Sequence, residues 1–86
     1  MGVIEVDTQL LKKRHSATEM SEDIWKDVRI YGQGFESMKM RDYQGKCVIE
    51  IAGEVVILEF DFQGGRLRTL DVGAGFFDVR EVQLGP

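Results

Sequence analysis

One histidine and one cysteine are the side chains of this sequence that suit nucleophilic chemistry. A thiol–imidazole pair needs contact between the two groups and a partly exposed thiol in electropositive surroundings. His15 follows three basic residues at an expected helix end, whereas Cys47 lies in the apolar row of an expected strand. A buried structural cysteine is the simpler interpretation. Paired cysteines, a second histidine and a calcium-type acidic loop are all missing, so we predict neither a metal nor another cofactor.

Carboxylates offer a second route to catalysis. Glu50, Glu59 and Asp61 fall on one face of adjacent expected strands, where two of them could act as a general acid and base. Lysine and arginine residues are interleaved with them, as on an ordinary solvated surface. The paired glycines are not followed by Lys-Ser or Lys-Thr, so they favour turns over phosphate binding. The sequence therefore predicts a non-enzymatic protein.

Basic residues are concentrated in two places, and they define a nucleic-acid alternative. Lys12, Lys13 and Arg14 form the densest run, and Lys39 and Arg41 precede a tyrosine, Tyr43, at an expected hairpin tip. Basic groups beside an aromatic ring suit single-stranded nucleic acid. However, the first run also complements the dipole at a helix C-terminus. The net charge of −4 argues against broad binding of polyanions.

Aromatic residues near the junctions of the expected elements are the preferred contact surface. They are Trp25, Tyr31, Phe35, Phe76 and Phe77. Strict alternation buries only one of the two adjacent phenylalanines, and exposed aromatic groups beside an open strand edge commonly mark protein contacts. We predict a protein-interaction module, such as an accessory protein, inhibitor or adaptor, that forms a homodimer through its terminal strand.

Two other uses of these aromatic residues stay open. They could form a small second core under a loop, with no exposed face. They could also line a cleft beside Trp25 and Phe77 that holds a small molecule or an enzymatic site.

Size and composition favour a small soluble domain. The 86 residues predict one domain spanning residues 1–86, with 43% hydrophobic and 30% charged residues. No apolar run reaches the roughly 20 residues needed to cross a bilayer, and the N-terminal stretch does not resemble a signal peptide. One cysteine forms no intramolecular disulfide, so we expect a cytoplasmic protein without a membrane partner.

The best-defined local element is a hairpin over residues 47–62. A glycine at the first central position suits a type II′ turn, so Gly53 and Glu54 are predicted at the tip, with Cys47 opposite Phe60. One face is then free of charge and the other is charged. The apolar row is Cys47, Ile49, Ile51, Val56, Leu58 and Phe60. A strand over residues 36–41 and a four-residue loop over residues 42–45 would precede this hairpin, with Met38 and Met40 on the apolar face.

A helix is predicted to cover that apolar face. Residues 16–27 carry a capping-box pattern and an apolar stripe at helical spacing. Residues 2–7 could form a strand or a helical extension, and Asp7 could cap a short helix that runs through Arg14. Glycines at 32 and 34 predict a turn. We thus predict an α+β fold, with an N-terminal helix packed on one face of a four- to five-stranded antiparallel meander sheet.

The end of the meander is less defined. The hairpin over residues 58–72 has two possible registers, from a two-residue or a three-residue loop, and a bulge could reconcile them. A last strand is expected over residues 76–84.

Overall fold

The chain is built from strands. The computed structural model describes residues 2–14, 24–33, 38–72 and 77–83, and it is mostly sheet. Its strands are β1 (Gly2–Asp7), β2 (Arg29–Gln33), β3 (Met38–Tyr43), β4 (Lys46–Ile51), β5 (Glu54–Asp61), β6 (Arg66–Val72) and β7 (Phe77–Val82). The helix α1 (Gln9–Lys12) has four residues. The predicted α+β architecture, with a helix covering a sheet, is therefore wrong.

Two sheets share one hydrophobic core. The first has the strand order β2-β1-β7, and the second has the order β3-β4-β5-β6. Ile4 and Val6 of the first sheet belong to the same buried cluster as Ile49, Val56 and Leu58 of the second sheet. The apolar rows thus face a second sheet instead of a helix, which satisfies the same need to bury them.

Residues 24–28, at the end of the predicted helix, form a turn and a bend. Ile24, Trp25 and Val28 are buried. The apolar spacing predicts a helix, but a turn held by tertiary hydrogen bonds can bury the same side chains. Residues 15–23, which include most of the predicted helix, lie outside the described ranges. A turn is predicted at residues 29–35, but its described part, Arg29–Gln33, is strand β2, because its backbone pairs with β1.

The β4–β5 hairpin has the predicted faces and a different turn. Cys47 pairs with Leu58 and Ile51 with Glu54, so the register differs by two residues from the prediction. A shift of two residues keeps each side chain on its face. The tip is Ala52 and Gly53, with φ values of 50° and 80°, as a type I′ turn requires.

The neighbouring hairpins show similar corrections. Tyr43 pairs with Lys46, so the β3–β4 loop has two residues instead of four, while Met38 and Met40 keep their predicted face. Asp61 pairs with Arg66, which gives β5–β6 a longer loop than either register considered above. The expected bulge is present, since the register shifts between Ile57 and Leu58.

The N-terminal strand is central, and the last strand is parallel to it. β1 lies between β2 and β7, with Ile4 opposite Val79 of the parallel neighbour. The antiparallel meander is thus limited to β3 through β6, and the complete meander was wrong. The N-cap residue of α1 is Thr8 instead of the predicted Asp7, although Asp7 accepts a hydrogen bond from the backbone N–H of Gln9. No helix of the described ranges is long and apolar enough to span a membrane.

Candidate protein-interaction edges

Two consecutive strands occupy sheet edges. β2 ends the first sheet and β3 ends the second, so each has a strand neighbour on one side only in the described part of the chain. An edge strand presents unpaired backbone N–H and C=O groups to which another strand can add. The other two edge strands, β6 and β7, approach each other.

Glu81 joins those two strands. Its Oε1 accepts a hydrogen bond of 2.7 Å from the backbone N–H of Leu67 on β6. Its Oε2 accepts one of 3.2 Å from the hydroxyl of Thr8 and lies 3.0 Å from Nζ of Lys12. One carboxylate thus ties β7 to β6 and to the β1–α1 connection, and it provides an acceptor where the ladder of β6 has no strand partner.

The charge of Glu81 is favoured by these contacts. Burial acts to raise its pKa, but hydrogen bonds from Leu67, Lys12 and Thr8, together with the charge of Lys12, lower the pKa below the ordinary value of 4.5. The side chain is 32% exposed, so solvent weakens each electrostatic contribution. Lys12 therefore forms an ion pair within the fold, with Glu81, instead of being available to a nucleic-acid phosphate.

The β3 edge carries the second predicted basic cluster. Lys39 and Arg41 are exposed and alternate along the outer face, and Tyr43 follows with 55% of its surface exposed. The guanidinium carbon of Arg41 lies 6.0 Å from the centre of the Tyr43 ring, at the outer limit of a cation–π contact. Lys39 stands opposite Glu50, whereas Arg41 stands opposite Val48. Within the described residues, no carboxylate is in ion-pair contact with Arg41.

The hairpin register determines which backbone groups of β3 face outward. In a two-residue hairpin the residues that flank the loop, here Tyr43 and Lys46, form a hydrogen-bonded pair. Non-hydrogen-bonded and hydrogen-bonded pairs then alternate along the two strands. The N–H and C=O groups of Met38, Met40 and Asp42 therefore point away from β4.

Trp25 anchors a turn against the far end of β3. Its indole Nε1 donates a hydrogen bond of 3.0 Å to the carbonyl of Gly45, and its backbone N–H lies 3.4 Å from Oδ2 of Asp42. Oδ1 of Asp42 accepts from the N–H of Gly45 at 3.3 Å. Trp25 is fully buried. This predicted contact residue thus belongs to the core, and it presents no surface to a partner or to a cleft ligand.

The remaining predicted contact residues are dispersed. Tyr31, on β2, is 46% exposed. Phe77 is half-buried and packs against the core from β7. Phe35 and Phe76 lie outside the described residues, so the expected aromatic cluster is represented by Tyr31 and Phe77. Those two residues lie on opposite edge strands of the first sheet.

Residues suited to nucleophilic or metal chemistry are not assembled in the described ranges. Cys47 is fully buried, and burial, followed by the charge of Asp42, raises the pKa of its thiol to about 12. The thiol therefore stays protonated near neutral pH. His15 lies outside the described residues. The described residues contain no group of three potential metal ligands. Lys13 and Arg14 are exposed beyond α1.

A cleft of about 270 Å³ lies beside the tip of the β4–β5 hairpin. Its lining is Lys39, Glu50, Ala52, Gly53, Glu54 and Val55. It is away from Trp25 and Phe77, where a small-molecule site was predicted. Its size is at the lower limit of ligand pockets, and three of its six lining residues, Lys39, Glu50 and Glu54, are charged.

Sequence reasoning missed Glu81 and Asp42, the two carboxylates that organise the edges. A signal existed for Glu81, because it alternates with Phe77 and Val79 and so falls on the inward row of β7. An acid in an inward row indicates a polar contact at the margin of the core. Asp42 gave no such signal for its contact with Trp25, because Trp25 belongs to a turn that is distant in the sequence.

Comparisons of the chain with protein-family models, with curated proteins and with solved structures give no significant match.

Proposed function

We propose that this protein is a non-enzymatic protein-interaction module that forms a homodimer through the edge of β2. The observation that carries the proposal is the presence of two strand edges, β2 and β3, without a second strand neighbour in the described ranges. Exposed edges of this kind support association by strand addition.

The sequence of β2 suits pairing with a second copy. An antiparallel pair centred on Tyr31 sets Arg29 opposite Gln33 of the other copy and Ile30 opposite Gly32. No like charges then face each other, and the two exposed tyrosine rings meet across the axis. The product is a continuous six-stranded sheet with the order β7-β1-β2-β2-β1-β7.

The protonated, buried thiol of Cys47 supports a non-enzymatic role, because the most nucleophilic side-chain type of the chain is inaccessible. Its free state also suits a reducing compartment, and we propose the cytoplasm.

The oligomeric state of wild-type protein and of Tyr31→Lys tests the proposal. We expect a dimer for the wild type by light scattering or sedimentation. Tyr31→Lys should shift the protein toward the monomer, because two ammonium groups would then oppose each other across the axis. Tyr43→Lys is a matched control, since Tyr43 is exposed to a similar degree on the other edge strand.

Two outcomes would overturn the β2 dimer. One is a wild-type protein that stays monomeric across the concentration range. The other is a dimer that Tyr43→Lys dissociates as readily as Tyr31→Lys does.

Nucleic-acid binding is the second candidate function, and one contact favours it. Arg41 lies over the Tyr43 ring on the same exposed edge as Lys39, and such a cluster can contact phosphate and stack a base. Binding to single-stranded RNA at low salt, lost on reversing the charge of Arg41, would support this role. Its absence at low salt would remove it.

A further inference from the structure

We propose that the β3 edge binds an extended acidic segment of another protein as an added antiparallel strand. Two acidic side chains of that segment, two residues apart, would face Lys39 and Arg41. This inference concerns a different strand from the β2 dimer and does not depend on it.

The backbone of β3 supplies the hydrogen bonds of the added strand. The outward N–H and C=O groups of Met38 and Met40 follow from the β3–β4 register. Asp42, the next outward residue, has its side chain engaged with Trp25 and Gly45. Within the described residues, the stretch of β3 left open to a partner strand therefore runs from Met38 to Arg41, which is enough for a short peptide strand.

The register also determines which peptide side chains meet the basic ones. If Met38 and Met40 form hydrogen-bonded pairs with the new strand, Lys39 and Arg41 fall in the intervening pairs, where side chains of opposed residues are closer. Facing positions on the peptide are two residues apart and point to the same side as the cations. Acidic residues there would give Arg41 the carboxylate partner that the described residues do not provide.

The peptide residue between the two acids should be apolar. It would point to the opposite side of the sheet, beside Met40. Met38 and Met40 are half-buried and pack against the core, so an apolar side chain there would extend the covered surface. The recognised pattern is thus acidic–apolar–acidic.

Charge explains why the occupant is not a second copy of this chain. A symmetric β3–β3 pair centred on Met40 would set Lys39 opposite Arg41 of the other copy, and like charges in facing positions are unfavourable. A nucleic acid meets the same cations but leaves the outward backbone groups of β3 unpaired, whereas an added strand pairs them.

The experiment uses a capped, fluorescein-labelled octapeptide of alternating glutamate and valine with the full-length protein. We expect saturable binding by anisotropy that weakens as salt is raised. Amide shifts on binding should be largest from Met38 to Arg41. Reversing both charges, with Lys39→Glu and Arg41→Glu, should weaken binding about tenfold or more.

Arg68→Glu is the matched control. Arg68 is exposed on β6, opposite Glu59, so this variant has the charge change of the single variant Arg41→Glu, but away from the proposed edge. Arg68→Glu should bind normally, whereas Arg41→Glu alone should bind more weakly. Circular dichroism confirms that each variant is folded. Tyr31→Lys should also bind normally, which separates this surface from the β2 dimer.

Three outcomes would overturn the inference. They are no binding at low salt, equal binding of a lysine–valine peptide, and displacement of the peptide by single-stranded RNA that binds more tightly at the same residues. The last outcome would assign this edge to nucleic acid.

Discussion

The carboxylate of Glu81 and the backbone N–H of Leu67 form a 2.7 Å hydrogen bond between two strands of different sheets. The side chain takes the place of a missing strand neighbour, while its second oxygen holds Thr8 and Lys12. This arrangement bridges the β6 and β7 edges, and it leaves β2 and β3 as the edges suited to partners.

Removing the carboxylate should therefore destabilise the fold. We expect Glu81→Ala to lower the free energy of unfolding by about 1–2 kcal/mol, because the Leu67 N–H loses a charged acceptor in a partly exposed site. Urea denaturation gives the free energy, and faster hydrogen exchange at Leu67 identifies the broken bond. Asp78→Ala is the control, since the Asp78–Arg80 ion pair is exposed, and its effect should be below about 0.5 kcal/mol.

Lowering the pH should weaken the contacts of Glu81. The pKa of Glu81 is lower in the folded protein than its ordinary value of 4.5, so its contribution is complete above pH 4.5 and declines as the pH falls through the lowered pKa. The stability difference between wild type and Glu81→Gln should shrink over that interval. A stability difference that stays constant between about pH 6 and pH 3 would contradict this role of the Glu81 charge.

Trp25 should stabilise the folded protein through its indole N–H as well as through its volume. Trp25→Phe removes the donor to the Gly45 carbonyl and part of a fully buried ring, and we expect a loss of about 2–3 kcal/mol. Unfolding is followed by circular dichroism, because the substitution removes the one tryptophan of the chain and with it the fluorescence signal. Tyr43→Phe changes an exposed residue beside the β3–β4 turn and should be nearly neutral. A nearly neutral Trp25→Phe would contradict the role of the buried indole as an anchor.

The β4–β5 turn contains a residue that can be improved. Ala52 has a positive φ of 50°, a conformation that costs an alanine about 1 kcal/mol. Asparagine tolerates this conformation and precedes glycine in favoured type I′ turns. Ala52→Asn should therefore raise the melting temperature by a few degrees, which corresponds to about 0.5–1 kcal/mol in a domain of this size.

Ala52→Val tests the same turn in the opposite direction. A β-branched side chain fits a positive φ poorly, so this variant should melt below the wild type. Ala52 is exposed, so neither substitution changes the packing of the core. A difference between their melting temperatures therefore reports the conformation of the turn.

The faces of the hairpins were predictable from the sequence, because a two-residue period is a local property. Met38, Met40 and the apolar row of β4 and β5 all face the core as expected. The loops were not predictable in the same way. Ala52 and Gln44 adopt positive φ values that their residue types disfavour, so turn chemistry alone pointed to longer or shifted loops.

Long-range pairing explains the other errors. Ile24, Trp25 and Val28 are spaced as on a helix, but bonds from Trp25 to Asp42 and Gly45 select a turn. Nothing in residues 77–82 indicates a parallel neighbour at the other end of the chain. The basic cluster of Lys39, Arg41 and Tyr43 was found from its hairpin, whereas the burial of Trp25 depends on contacts that no local pattern encodes.

The parallel pairing of β1 with β7 has a consequence for how the protein folds. Gly2 lies opposite Phe77, so β1 obtains this neighbour only by closing a loop of about 75 residues. The β3–β6 hairpins need only short loops and can form early, whereas the β1–β7 pair must wait for two distant strands to meet. Non-local pairing of this kind slows folding and prolongs the exposure of unpaired strands. We therefore expect refolding in at least two kinetic phases, with the β3–β6 amides protected from exchange before those that join β1 and β7.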